Sequence, residues 1–306
     1  MRIVPAILTM IVLLAGCSGP GQEASSGWTE VFRDDFTGAA GTPLPSGWLH
    51  DVGTCYPGCP APRWGTGEIE TMTASPENVS LDGRGNLAVT PLLRDGAWTS
   101  GRVESRRSDF RPPPGGVLRV EARIQLPRVT EADGAGYWPA FWMLGAPLRD
   151  GYTGWPGIGE IDVMEAVNGR PAVMAAMHCG VTPGGPCGEP SGIGSGERPC
   201  PACHGGFHRY GVEITATEIR WYLDDAPIFA VAAGRVDPET WRRATDHGFF
   251  LILNVAIGGG LPSAFGGGPT AATVSGRPML VDYVSVATRP AEESGTTGPA
   301  GETGED

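Results

Sequence analysis

From Phe249 to Ile257 the chain reads Phe-Phe-Leu-Ile-Leu-Asn-Val-Ala-Ile, with Asn254 its one polar side chain. A run this short and this apolar is read as a strand buried on both faces. Such a strand needs a layer on each side, and the rest of the chain offers strands for that purpose. Gly116 to Gln125 alternates Val117, Arg119, Glu121 and Arg123 with Leu118, Val120, Ala122 and Ile124, the period of a strand with one buried face. Val79-Ser80-Leu81 and Asn86-Leu87-Ala88-Val89 flank the turn Asp82-Gly83-Arg84-Gly85 and read as a hairpin. Val31–Phe36, Tyr137–Leu144, Pro171–His178, Phe207–Ile214, Ile219–Leu223, Ile228–Val231 and Met279–Val286 continue the series. With Gly 48 and Pro 29, turns are frequent, and no stretch shows a competing helical period. A chain of 306 residues accommodates one large all-β domain with a two-sheet core. Neither an internal repeat nor a second domain is visible.

One strand breaks its own rule. Glu160-Ile161-Asp162-Val163-Met164-Glu165 alternates acidic and apolar residues for four positions and then stops. On a regular strand Glu160, Asp162 and Met164 share a face, and Glu165 points away. A β-bulge at Val163-Met164 slips the phase by one and returns Glu165 to the side of the other two acids. Four effective steps of ~3.3 Å then separate the glutamate Cα atoms by ~13 Å. Side chains leaning inward bring the carboxylates to ~5 Å, the separation used by retaining glycosidases. In that chemistry one glutamate attacks an anomeric carbon, and the other protonates the leaving oxygen and then activates water. An aspartate between them raises the acid by like-charge repulsion and supports the nucleophile. The plainer alternative is a solvated acidic edge strand. The aromatic and flexible residues Trp155-Pro156-Gly157-Ile158-Gly159 just upstream favour a cleft.

Gly159-Glu160-Ile161-Asp162-Val163-Met164-Glu165 resembles the signature of glycoside hydrolase family 16 in its bulged, laminarinase-like form. Tyr137-Trp138-Pro139-Ala140-Phe141-Trp142-Met143-Leu144 resembles the tryptophan-rich strand that precedes it, and the likeness extends over most of residues 28–288. The resemblance implies a two-sheet β-jelly roll with a concave sugar cleft. It implies an endo-acting retaining glycosidase, with Glu160 as nucleophile, Asp162 as its electrostatic support and Glu165 as acid/base. β-1,3-Glucan is the first substrate to consider. Hydrolysis or transglycosylation on β-1,3-1,4-glucan or β-galactan is the alternative, and a non-catalytic carbohydrate-binding jelly roll stands behind that. Two departures bear on substrate. Thr66 follows Trp64-Gly65 where laminarinases usually carry asparagine, and Leu261 stands where tryptophan is common.

Trp155, Trp138 and Trp142 are candidates for stacking on sugar rings, as is Trp221; packing in the core is the alternative for each. Family resemblance places His178 near the nucleophile and Arg102 near the sugar site. A structural histidine and a surface arginine are the other possibilities. Asn254, an amide in a buried strand, needs partners and either orients cleft residues or pins strands. No cofactor is expected for catalysis. A structural calcium, frequent in the family, would fall near Asp35, the Gly85 carbonyl and Asp282.

A formal net charge of -12 argues against nucleic acid or an anionic membrane surface as partner and suits a neutral polysaccharide. Arg2, the apolar run Ile3 to Ala15 and Leu14-Ala15-Gly16-Cys17 look like a bacterial lipoprotein signal over residues 1–17, with Cys17 as the lipidated residue. An ordinary secretory signal is the alternative. Residues 18–27 then form a flexible tether, 28–288 the catalytic domain and 289–306 a disordered acidic tail. The expected protein is an exported monomer that meets the membrane only through its lipid anchor. The other six cysteines read first as disulfides in an exported chain. Local pairs Cys55–Cys59, Cys179–Cys187 and Cys200–Cys203 are the simplest of several connectivities. A zinc site built from Cys200, Cys203 and His204 with Cys179 or Cys187 competes with them.

Overall fold

The computed structural model describes residues 27–291. The signal segment with Cys17, nearly all of the tether and the tail beyond Ala291 lie outside the described residues. Within them, two antiparallel sheets of eight strands face one another, as in a jelly roll. The first sheet is ordered β17 (Ala226–Ala232), β16 (Glu218–Leu223), β15 (His208–Ile214), β9 (Val117–Gln125), β19 (Met279–Arg289), β5 (Leu87–Val89), β4 (Val79–Leu81). Strand β1 (Thr29–Asp34) also pairs with β19. The second sheet is ordered β13 (Ile193–Gly194), β12 (Ala172–His178), β11 (Glu160–Glu165), β10 (Tyr137–Gly145), β18 (Phe249–Ile257), β8 (Arg102–Ser105), β2 (Trp48–His50). Strand β14 (Arg198–Pro199) joins it through β12. A small third sheet joins β3 (Thr71–Met72), β7 (Ala97–Ser100) and β6 (Leu92–Arg94).

The alternation seen in β9 sorts as expected: Leu118, Val120, Ala122 and Ile124 are fully buried, and the charged set between them is not. Those residues meet Phe141, Met143, Ile161, Leu251, Leu253 and Val255 of the second sheet in one continuous core. Every residue of β18 is buried, because its other face is also covered. There Phe250 and Ile252 pack with Leu144, Leu148, Tyr56 and Trp142 at one end of the open face. Beside that cover, Glu160 and Glu165 of β11 stay partly exposed.

Three features depart from the sequence expectations. A helix, α1 (Pro238–Thr245), follows β17; its cue was Asp237, whose carboxylate accepts the Thr240 N–H, before Pro238 at the first helical position. Its Trp241 and Ala244 are buried, and the Ala244 carbonyl sits against Gly159. Gly159 has φ +76°, and a Cβ there would collide with that carbonyl, so glycine is required at the entry to β11. The last strand reaches Arg289, one residue past the expected domain boundary, and its guanidinium lies over the Trp28 ring. Trp221 is fully buried in the core, so it cannot stack on sugar.

All three local disulfides are formed: Cys55–Cys59, Cys179–Cys187 and Cys200–Cys203. Paired sulfurs offer no thiolate, and both ring nitrogens of His204 lie on the carbonyl oxygens of Pro127 and Arg170. The zinc alternative for this loop is therefore overturned. The two carboxylates expected near a calcium ion, Asp35 and Asp282, each have an arginine partner. Asp35 is ion-paired with Arg33 at 2.6 Å and Asp282 with Arg123 at 2.6 Å.

Candidate active site

The break in the acidic strand is a bulge. On one side of β11, Trp142 opposes Asp162 and Phe141 opposes Met164, so Val163 has no partner and the register shifts. On the other side, Asp162 faces Ala176 and Glu165 faces Met174, three steps against two. Glu160, Asp162 and Glu165 therefore share the open face, and Ile161 and Met164 point into the core. Behind the bulge, the Asp162 carbonyl accepts the Trp221 indole N–H at 2.9 Å. This bond crosses from the first sheet to the second and satisfies a carbonyl beside the break in the ladder.

Each glutamate is held by one indole. Trp155 Nε1 donates to Glu160 Oε2 at 3.0 Å, and Trp138 Nε1 donates to Glu165 Oε1 at 2.9 Å. A single donor fixes each carboxylate and leaves its second oxygen for chemistry. Both tryptophans were foreseen as sugar platforms; their grip on the acids was not.

His178 stands directly across from Glu160 on β12. Its Nε2 lies 3.2 Å from Asp162 Oδ2 and 3.8 Å from Glu160 Oε1. Its Nδ1 is 2.7 Å from Glu189 Oε2, and Glu189 Oε1 accepts the Cys179 N–H at 2.9 Å. The two roles weighed for this histidine therefore coincide: it is tied into the scaffold and faces the acids. Glu189 is buried and was missed in the sequence. The Cys179–Cys187 bridge brings it back to His178, a proximity that sequence separation concealed.

Electrostatics follow from this crowding. Burial, and then the charge of Asp162, raises Glu160 and Glu165 each to about 8. His178 and the Trp155 N–H offset the rise at Glu160, and the Trp138 N–H and His178 offset it at Glu165. Burial pulls the His178 imidazole down, but Asp162, Glu189 and Glu160 together raise it to about 12, so it is an imidazolium at neutral pH.

Away from β11, Arg102 is buried rather than a surface residue. Its Nε donates to Asp51 Oδ2 at 3.0 Å and its Nη2 to Tyr56 Oη at 2.9 Å. The guanidinium lies 4.4 Å from the Trp64 ring and 4.7 Å from the Trp142 ring. Across the ladder from Arg102, Asn254 accepts the Trp142 Nε1–H at 2.7 Å. Arg102 and Asn254 together fix Trp142 as one wall of the face. Tyr56, Asp51 and the contact of Trp64 with Arg102 escaped the sequence reading because the Cys/Gly/Pro-rich loop and its approach give no period from which to read direction.

Among known proteins, a model of the XgeA-like, catalytic GH16 domain matches residues 129–185. A beta-glucanase of Rhodothermus marinus is 33% identical over 287 residues, spanning 90% of this chain and 92% of that protein. A glucan endo-1,3-beta-glucosidase of Cryptopygus antarcticus is 28% identical over 278 residues, spanning 85% of this chain and 89% of that protein. The crystal structure of an endo-1,3-beta-glucanase from Streptomyces sioyaensis superposes with a TM-score of 0.83 at 56% identity, over 86% of this chain and 97% of that one. The chain belongs to glycoside hydrolase family 16 and is a glycosidase of that family.

Proposed function

We propose that the protein cleaves internal β-1,3 bonds of a laminarin-like glucan by double displacement, with Glu160 as nucleophile and Glu165 as acid/base. The observation that carries this reading is the bulge that sets Glu160, Asp162 and Glu165 on one face, each glutamate gripped by an indole N–H. In the first step the Glu160 carboxylate bonds to the anomeric carbon. The glycosidic C–O bond breaks, and Glu165 gives its proton to the departing oxygen. In the second step Glu165 takes a proton from water, and the hydroxide oxygen bonds to the same carbon as Glu160 leaves. Two inversions restore the β configuration. Burial, and then the charge of Asp162, keep the proton on Glu165 at neutral pH, and the His178 cation steadies the charge on the Glu160 side.

Trp155, Trp138 and Trp142 supply apolar faces for pyranose rings, with Arg102 and Asn254 as the supports of Trp142. The substrate assignment draws on the relatives, whose names specify β-1,3 cleavage. Three disulfides accord with action outside the cell, by an exported and lipid-anchored chain.

Product analysis on laminarin, lichenan and β-galactan tests the reading. Oligosaccharides should accumulate from laminarin, and Glu160→Gln should release none. Glu165→Gln should lower kcat by about 10²–10⁴-fold on a substrate with a poor leaving group. Full activity in Glu160→Gln would refute the assignment. Binding of one polymer without cleavage by the wild type would identify a lectin instead.

A further inference from the structure

Glu160, Asp162 and His178 each present one ligand atom, and these atoms lie within 4.8 Å of one another. His178 Nε2 is 3.2 Å from Asp162 Oδ2 and 3.8 Å from Glu160 Oε1. Those separations bracket the spacing of about 3.4 Å between ligands on a tetrahedral zinc ion with bonds near 2.1 Å. Asp162 is only 4% exposed, and its Oδ2 makes no hydrogen bond of good geometry. The cation that faces this buried oxygen is the His178 ring at 3.2 Å, a role that a metal ion held by the same three side chains can take over.

The ligands are also pre-set. Glu189 holds His178 Nδ1 at 2.7 Å and is itself held by the Cys179 N–H. That arrangement, a carboxylate behind an imidazole, orients metal-binding histidines and makes them better donors. Trp155 restrains Glu160 through Oε2, so Oε1 is left beside His178. One nitrogen and two oxygens disfavour calcium and magnesium, which take oxygen alone, and suit zinc with a fourth position toward solvent.

We propose that Glu160, Asp162 and His178 form an inhibitory site for zinc, closed from behind by Glu189 and open to the cleft. On binding, the ion takes the place of the Nε2 proton, which leaves to solvent. The bound ion occupies Glu160, so metal and glucan exclude each other; this last consequence rests on the nucleophile role given to Glu160.

Calorimetric titration of the intact, disulfide-bonded protein with zinc chloride tests the site without reference to activity. One saturable site is expected. His178→Ala and Asp162→Asn should each weaken it at least tenfold, and Glu189→Gln by about 10–100-fold. His208→Ala, near Cys200 and Cys203, should leave it unchanged. Circular dichroism checks that each variant is folded, and the three cleft variants provide independent arms should one fail to fold. Absence of saturable binding at millimolar zinc overturns the proposal. So does full affinity in His178→Ala, or loss of binding in His208→Ala. Inhibition of laminarin hydrolysis should raise KM and leave kcat unchanged. Zinc bound at the site with no effect on hydrolysis would overturn the exclusion of glucan and the role of Glu160, while the metal site itself would stand.

Discussion

Asp162 touches everything that matters at the catalytic strand. Its side chain sits between two glutamates and beside an imidazolium, and its backbone carbonyl is anchored to Trp221 in the opposite sheet. Its charge is one reason that Glu165 is raised to about 8, so the acid remains protonated at neutral pH. Replacing Asp162 with Asn removes that charge and keeps the shape. The alkaline limb of the kcat–pH profile should then move to lower pH, because Glu165 gives up its proton earlier. A limb that stays in place, with kcat merely lowered, would assign the charge no such role. Trp221→Phe probes the same residue from behind. It leaves the Asp162 carbonyl buried without a donor, at a cost of about 1–3 kcal/mol in urea unfolding. The bulge should also lose definition, so kcat should fall more than KM changes.

At the scale of elements, the segment Gly67 to Met72 ties the open end of β18 in place. Glu68 forms a backbone bridge with Gly258, and Glu70 Oε2 accepts the Ile257 N–H at 2.7 Å. Both carboxyl groups are buried, and Glu70 is raised to about 9 by burial and then by Glu68. The sign follows directly. Between the unfolded value near 4.5 and about 9, the folded protein keeps a proton that the unfolded chain has lost. Stability therefore declines as pH rises through this window, by up to about 1.4 kcal/mol per pH unit. Glu70→Gln keeps the acceptor and removes the titration, so it should raise Tm at pH 8 and flatten the Tm–pH slope. An unchanged slope would place the proton elsewhere. The loop that carries Tyr56 and Trp64 is a second such element, closed by Cys55–Cys59. Replacing both cysteines with serine should free the two aromatic rings from Arg102 and raise KM more than it lowers kcat.

For the whole molecule, the two-sheet architecture and the bulged strand were legible because both depend on period. Alternation in β9 and the apolar run of β18, broken only by Asn254, declare which faces are buried. The misplaced phase of Glu165 declares the bulge. What escaped depends on contacts made across large sequence separations or on single hydrogen bonds. Glu189 meets His178 across a loop closed by a disulfide, and Trp138 and Trp155 each hold a glutamate through one N–H. Trp221 misled because a tryptophan on a strand carries no sign of which sheet face it fills. Helix α1 was too short to show a period, and only its cap announced it.

Under the proposed mechanism the two glutamates have distinct and fixed roles. Azide rescue of Glu160→Gly and Glu165→Ala, with a β-glucosyl substrate bearing an activated leaving group, separates them. In Glu160→Gly azide takes the place of the missing nucleophile, and the account predicts an α-glycosyl azide. In Glu165→Ala azide attacks the glycosyl-enzyme from the opposite face, and the account predicts a β-glycosyl azide. The reverse pattern of anomers in proton NMR would contradict the assignment of Glu160 and Glu165.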